Sequence, residues 1–195
     1  MMLKVFDLTA ERNERSLFSG LNFTLNPGEV LQVTGSNGAG KTTLLRMISG
    51  LLPLSSGKVA YEGNGLLYIG HALSLKGRLT PYENLQFSIK LAGCLSKLSL
   101  SVEEALRAVG LEGFETVETH TLSMGQQRRV NLARLLLIPA NLWILDEPLA
   151  ALDKQGIQLV ESLILAHIAQ AGMIVLTSHQ LLSLENIVFK NLILN

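Results

Sequence analysis

The chain has 195 residues, enough for one domain with a good core and a subdomain. Its 16 Lys and Arg balance 16 Asp and Glu, so no basic field advertises nucleic acid. Apolar residues make up 48% and charged residues 16%, which suits a parallel sheet buried on both faces, or a protein that docks on another subunit. Cys94 is the single cysteine, so no internal disulfide can form, and it reads as a small buried apolar residue in a reducing compartment. The N-terminal residues Met1 to Asp7 do not have the layout of a signal peptide.

In chain order, Leu3 to Leu8, Leu21 to Leu25 and Lys58 to Tyr61 read as strands in a turn-rich region. Asn26-Pro27-Gly28-Glu29 is a turn that feeds the apolar, β-branched strand Val30 to Thr34. A glycine-rich stretch follows, then a helix over Leu44 to Ser49 that Gly50 ends. Thr80-Pro81-Tyr82-Glu83 is a capping box with proline at the first helical position, predicting a helix toward Leu91. Ser101 to Glu104 is a second box, with Val102, Ala105, Leu106 and Val109 on one face and Gly110 as the stop. Residues 73–121 therefore read as a small helical insert. A helix is expected over Gln127 to Leu137, a strand over Leu142 to Leu145, a helix over Lys154 to Ala171 and a strand over Met173 to Thr177. Ser162 to Leu184 contains no Lys, Arg, Asp or Glu, but Gly172 splits it into a helix-like and a β-like half. It reads as buried core rather than a membrane span. Strands alternating with helices argue for a three-layer α/β domain.

The chemistry centres on Gly35-Ser36-Asn37-Gly38-Ala39-Gly40-Lys41-Thr42-Thr43, which fits the phosphate-binding pattern between a strand and a helix. A loop without bulky side chains lets backbone N–H groups turn around phosphate oxygens, and the helix points its positive end at the same anion. Lys41 is placed to reach the β- and γ-phosphates of a nucleoside triphosphate, and the Thr42 hydroxyl to hold Mg²⁺. Asp146 closes a buried strand, where an acid can hold Mg²⁺ through its water shell. Glu147 beside it is a second carboxylate, suited to orienting and deprotonating an attacking water. Leu122-Ser123-Met124-Gly125-Gln126 brings a Ser hydroxyl, a small residue and a helix N-terminus together as a second anion site. Two such sites in one chain make sense if two copies meet head to tail and each caps the other's nucleotide.

Leu122 to Gln126 resembles the signature motif of ABC ATPases, and Pro148 to Asp153 resembles their D-loop. His179 falls where these ATPases carry a switch histidine that contacts the γ-phosphate. A narrower resemblance is carried by Arg12 to Leu25, Gly35 to Gly50, Tyr68-Ile69-Gly70-His71, Leu122 to Arg134 and Leu142 to Pro148. It points to the CcmA-type ATPases of cytochrome c biogenesis. The resemblance implies an α/β P-loop NTPase of ABC ATPase type. Such a fold has a three-layer core, an antiparallel β subdomain and a small helical subdomain, here as one domain over residues 1–195. It implies ATP hydrolysis, with the nucleotide bound by residues 35–43, Thr42 and Asp146 on Mg²⁺, and Glu147 and His179 as catalytic residues. Ser123, Gly125 and Gln126 would complete the γ-phosphate site of a second copy. It also implies integral membrane permease subunits as partners, no nucleic acid, a peripheral place on the cytoplasmic face of a bacterial inner membrane, and a haem-delivery step.

Two positions depart from the general pattern. His71 stands where most such ATPases place a Gln that touches Mg²⁺, so coupling is expected to be pH-sensitive. Arg12 lies where an adenine-stacking aromatic is usual; it could stack by its guanidinium plane or be a solvated loop residue. Other readings are an ABC transporter ATPase for a different substrate, a soluble ABC protein, a small-molecule phosphotransferase and a binding-only domain. A phosphotransferase would need lid arginines and not the 122–126 motif; Glu147 argues against a domain that never turns over.

Overall fold

In the computed structural model the described residues are 1–12, 15–97, 99–178, 184 and 187–194, excluding the side chains of 12, 15, 97 and 188. They divide into two compact units, one of Met1–Tyr68, Ala140–Pro148 and Ile164–Asn195, the other of Ile69–Pro139 and Leu149–Leu163.

The first unit holds two sheets. β1 (Met2–Arg12) pairs antiparallel with β2 (Arg15–Leu25) and β4 (Ser56–Glu62), giving the order β2-β1-β4. The second sheet has the order β5-β6-β7-β3-β8, from β3 (Glu29–Gly35), β5 (Leu66–Ile69), β6 (Leu142–Leu145), β7 (Met173–Thr177) and β8 (Val188–Leu194). β3 runs parallel to β7 and β8, and β6 parallel to β7.

Every residue of β6 and β7 is buried, so both sheet faces are covered. The period of two sorts them. Leu31, Val33, Leu142, Ile144, Met173 and Val175 join one core with Leu3, Val5, Leu25 and the helix residues Leu44, Leu45 and Ile48. That layer contains α1 (Lys41–Ile48) and the antiparallel sheet. On the other face Trp143 stacks on His167 of α5 (Lys154–Ala169), with centroids 3.8 Å apart and planes 8° from parallel. Burial pushes the His167 pKa down, against backbone hydrogen bonds at Met173 and Asn141 that raise it. The uncharged 162–184 stretch thus includes the end of α5 and the doubly buried β7, and among the described residues no helix is long and apolar enough to cross a membrane.

The second unit packs α2 (Pro81–Ala92), α3 (Val102–Ala108) and α4 (Met124–Leu137) against one another. Thr80, Ser101 and Ser123 each cap a helix with a complete capping box, an arrangement worth about 1 kcal/mol per cap. Asn84 of α2 is 3% exposed and donates to the carbonyls of Lys76, Leu79 and Thr80 and to Thr119 Oγ1, sewing the flanking loops to the helix. Cys94 is buried, as its chemistry suggested.

Several element boundaries differ from the sequence expectation: β1 runs on to Arg12, β2 begins at Arg15 rather than Leu21, and α1 begins at Lys41 rather than Leu44. α4 begins at Met124, three residues before Gln127, because Ser123 supplies the cap. α5 ends at Ala169, where His167 O accepts from the N–H groups of Gln170 and Gly172 and turns the chain toward β7.

Candidate nucleotide site

The parallel register builds the first half of the site. Val33 of β3 lies opposite Thr177, and Leu145 of β6 opposite Leu176. The carboxyl ends of β3, β7 and β6 therefore come out side by side. Gly35 ends β3, Ser36 to Ala39 form the exposed-to-buried turn of the loop, and Lys41, Thr42 and Thr43 open α1. Ligands of open α/β sheets sit at this carboxyl edge.

The N-cap of α1 is Gly40, with φ +96° and no side-chain cap bond. A Cβ there would press within 3.1 Å of Leu17 and Phe18, so a side chain at this point costs both backbone strain and packing. The helix therefore starts with first-turn N–H groups that no side chain caps, the arrangement an anion completes. Lys41 is 8% exposed, and its Nζ donates to the carbonyls of Gly35 at 2.7 Å and Ser36 at 3.0 Å. The ammonium is thus held inside the loop by bonds that phosphate oxygens, as stronger acceptors, can replace.

Thr42 Oγ1 donates to Asp146 Oδ2 at 2.8 Å, joining residues 104 apart in sequence. Asp146 is 2% exposed, and its Oδ1 accepts from Thr177 Oγ1 at 2.8 Å. The same Thr177 oxygen accepts the Glu147 N–H at 2.8 Å. Glu147 holds φ +50°, the left-handed region, which costs a residue with a Cβ roughly 1–2 kcal/mol. Burial pushes the Tyr68 hydroxyl pKa up; Arg46 opposes the rise and the Asp146 charge adds to it. A hydroxyl and a carboxylate are hard oxygen donors, and Mg²⁺ takes one or two such protein ligands plus phosphates and water. Thr42 and Asp146 fit that requirement. No cluster of three or more His, Cys, Asp or Glu occurs among the described residues, so no self-contained metal cage competes with them there.

The second unit carries His71, Ser123, Gly125 and Gln126. His71 follows β5 on an exposed turn, and Arg128, 3% exposed, donates through Nη1 to the carbonyls of Gly70 at 3.4 Å and His71 at 3.0 Å. Ser123 Oγ accepts the Gln126 N–H at 3.2 Å, and Gln126 Oε1 accepts the Ser123 N–H at 2.9 Å. This leaves the Ser123 hydroxyl proton free of the cap's own requirements. Gly125 sits in the first turn, where a Cβ would lie 3.3 Å from the Ala151 carbonyl oxygen. Arg129 of the same helix bonds Asp153 Oδ1 at 2.8 Å, and that oxygen also accepts the Gly156 N–H at 2.8 Å, opening α5. His179 and the Arg12 side chain lie outside the described residues. Sequence reasoning missed Thr177 and Arg128; a hydroxyl ending an otherwise apolar strand was the available signal for the first.

The chain is similar to known proteins in sequence and in fold. The family model described as "ABC transporter" matches residues 18–150. The chain is similar to the cytochrome c biogenesis ATP-binding export protein CcmA of Escherichia coli O157:H7, 48% identical, covering 92% of this chain and 89% of that protein. It is also similar to the CcmA of Methylococcus capsulatus, 47% identical over 89% of each. Among solved structures, an ABC transporter ATP-binding protein from Pyrococcus furiosus superposes with a TM-score of 0.81 at 25% identity, covering 98% of this chain and 97% of that one.

Proposed function

We infer what this chain does from where it belongs: it is a member of the ABC transporter family and, within it, of the cytochrome c biogenesis ATP-binding export proteins of the CcmA type. It is an α/β P-loop ATPase, the nucleotide-binding subunit of an ABC transporter. We propose that its turnover powers haem delivery in cytochrome c maturation. The observation that carries the nucleotide reading is the 2.8 Å bond between Thr42 and Asp146, which brings the phosphate loop and the strand-end acid to one point.

In this reading the loop amides of residues 35–43 and the Lys41 ammonium grip the β- and γ-phosphates. Binding exchanges the Lys41 bonds to Gly35 and Ser36 for charge-assisted ones to phosphate. Thr42 and Asp146 would hold Mg²⁺, which would neutralise phosphate charge when bound. The Glu147 carboxylate orients a water in line with the γ-phosphorus and takes its proton as the bond to the ADP oxygen breaks. His179 contacts the γ-phosphate. The partner copy contributes Ser123, Gly125 and Gln126, whose hydroxyl and helix N-terminus donate to the same group. ATP thus closes a head-to-tail dimer, and hydrolysis opens it. The chain docks peripherally on integral membrane permease subunits at the cytoplasmic face of the inner membrane, with His71 in the segment that signals between the nucleotide and those subunits. Nucleic acid is not a partner.

Glu147→Gln tests the whole reading. It keeps shape and hydrogen bonding but removes the base, a group that contributes about 10²- to 10⁴-fold to such steps. The variant is expected to bind ATP, lose at least about 100-fold in turnover, and accumulate as an ATP-bound dimer in sizing experiments. A monomer that hydrolyses at the wild-type rate would overturn the assignment. Co-purification of the wild-type chain with permease subunits from membranes tests the placement.

A further inference from the structure

Hydrolysis as described asks nothing of Thr177, yet its hydroxyl touches both carboxylate residues that matter. Thr177 is fully buried at the end of β7, after Ile174, Val175 and Leu176. An apolar β-branched residue would suit that strand as well or better, because a buried hydroxyl is unfavourable unless it is bonded. Here it is bonded twice. A hydroxyl has one proton and two lone pairs. The proton goes to Asp146 Oδ1 and a lone pair takes the Glu147 N–H, both at 2.8 Å.

We propose that Thr177 is a positioning residue for hydrolysis, a single hydroxyl that sets the metal-binding carboxylate and the backbone of the general base together. The proposal rests on the roles given above to Asp146 and Glu147. The register makes the contact: Leu145 pairs with Leu176, so the next residues, Asp146 and Thr177, leave the sheet as neighbours. With Oδ1 tied to Thr177, Oδ2 is the oxygen turned to Thr42 and the metal position. With its N–H tied to the same atom, Glu147 enters its left-handed turn, φ +50°, at a fixed point. Removing the hydroxyl takes away both of these contacts at once.

Thr177→Val keeps volume and branching and deletes both bonds; Thr177→Ser keeps both. In the purified full chain, nucleotide affinity is measured with a fluorescent ATP analogue in EDTA and across a Mg²⁺ titration, alongside kcat and KM. Thr177→Val is expected to lose at least tenfold in kcat and to raise the Mg²⁺ half-saturation at least threefold. Its metal-free affinity stays within twofold, since Lys41 and the loop amides are untouched. Thr177→Ser returns every value to within threefold of wild type. If the valine protein does not fold, Thr177→Ala, which deletes the hydroxyl without adding an apolar branch, is read the same way. Unchanged kcat and Mg²⁺ dependence in Thr177→Val, or a serine variant that fails to restore them, overturns the proposal. Glu147→Gln is run in parallel. If it still turns over, the functional reading itself falls; if it is dead while Thr177→Val is normal, only the role of Thr177 falls.

Discussion

α1 and α4 both open at short, small-residue turns, and they treat their first-turn N–H groups in opposite ways. α1 starts at Gly40 with no side chain over it, anchored in a buried sheet. α4 starts at Ser123 with both arms of its capping box closed, while Ser123 itself stays exposed. The first helix leaves donors that a ligand completes; the second has its Ser123 and Gln126 N–H groups bonded before any ligand arrives. In the proposed reading, one grips phosphate inside its own unit. The other is a rigid, preformed face suited to meeting a charge brought to it from outside.

Removing the Lys41 ammonium should break the first grip with the largest effect. Lys41→Ala deletes the charge that the loop holds through Gly35 and Ser36. Charge-assisted bonds of about 1.5–3 kcal/mol are lost, so kcat/KM should fall at least about 100-fold. The fold should survive, because the side chain is not part of the hydrophobic core around α1. Nucleotide titration and a thermal melt on one sample separate these outcomes; undiminished binding would remove the loop from the site.

Gly125→Asp strikes the second grip alone. The new side chain meets the Ala151 carbonyl oxygen, 3.3 Å from its Cβ, and places a negative charge where a γ-phosphate is to be met. Single-copy ATP affinity should stay within about twofold, while dimer formation and turnover fall by at least about tenfold, the worth of one repulsive contact of roughly 1.4 kcal/mol. Equal losses in single-copy affinity and dimerisation would erase the contrast between the two helices.

How legible this was in the sequence follows from the range of each interaction. The loop at 35–43 and the capping boxes at Thr80, Ser101 and Ser123 are local patterns, and they stand where sequence placed them. β8 was missed because Lys190 and Asn191 interrupt its apolar run. The structure explains the interruption. Lys190 Nζ reaches Glu29 at 2.7 Å and the Thr24 carbonyl at 2.9 Å from an edge strand. Burial raises the Glu29 pKa, but Lys190 and Asn26 outweigh it and hold the carboxyl below its usual range. Thr177 was read only as the end of a strand. Its partners are 30 and 31 residues away, and strand register, which sequence does not state, brings them together.

His71 offers a smaller test on the second unit. Arg128 fixes the backbone here by bonding the Gly70 and His71 carbonyls, so a side-chain change leaves the turn in place. If the imidazole sits beside Mg²⁺ when nucleotide binds, protonation should disfavour the metal. Wild-type ATPase should then fall several-fold more than His71→Gln when the pH is lowered from 8 to 6. Superimposable profiles would end the idea.

The smallest effect tests whether the exposed face of the second unit is held rigid. Asp153 caps the start of α5 through the Gly156 N–H and binds Arg129 of α4, so one carboxylate joins two helices. Those contacts, the backbone bond first and Arg129 second, hold its pKa below the ordinary carboxylate value. A depressed folded-state pKa stabilises the protein above the unfolded value and ceases to do so as pH falls through the folded one. Asp153→Asn should therefore lower Tm slightly at pH 7, with the gap from wild type narrowing as pH is brought below about 4. Arg129→Ala should also lower Tm, and the double variant should lose less than the sum of the two, since both remove one bond. A gap that is constant from pH 7 to pH 3 would mean that the Asp153 charge contributes nothing, and that packing alone presents Ser123 and Gly125.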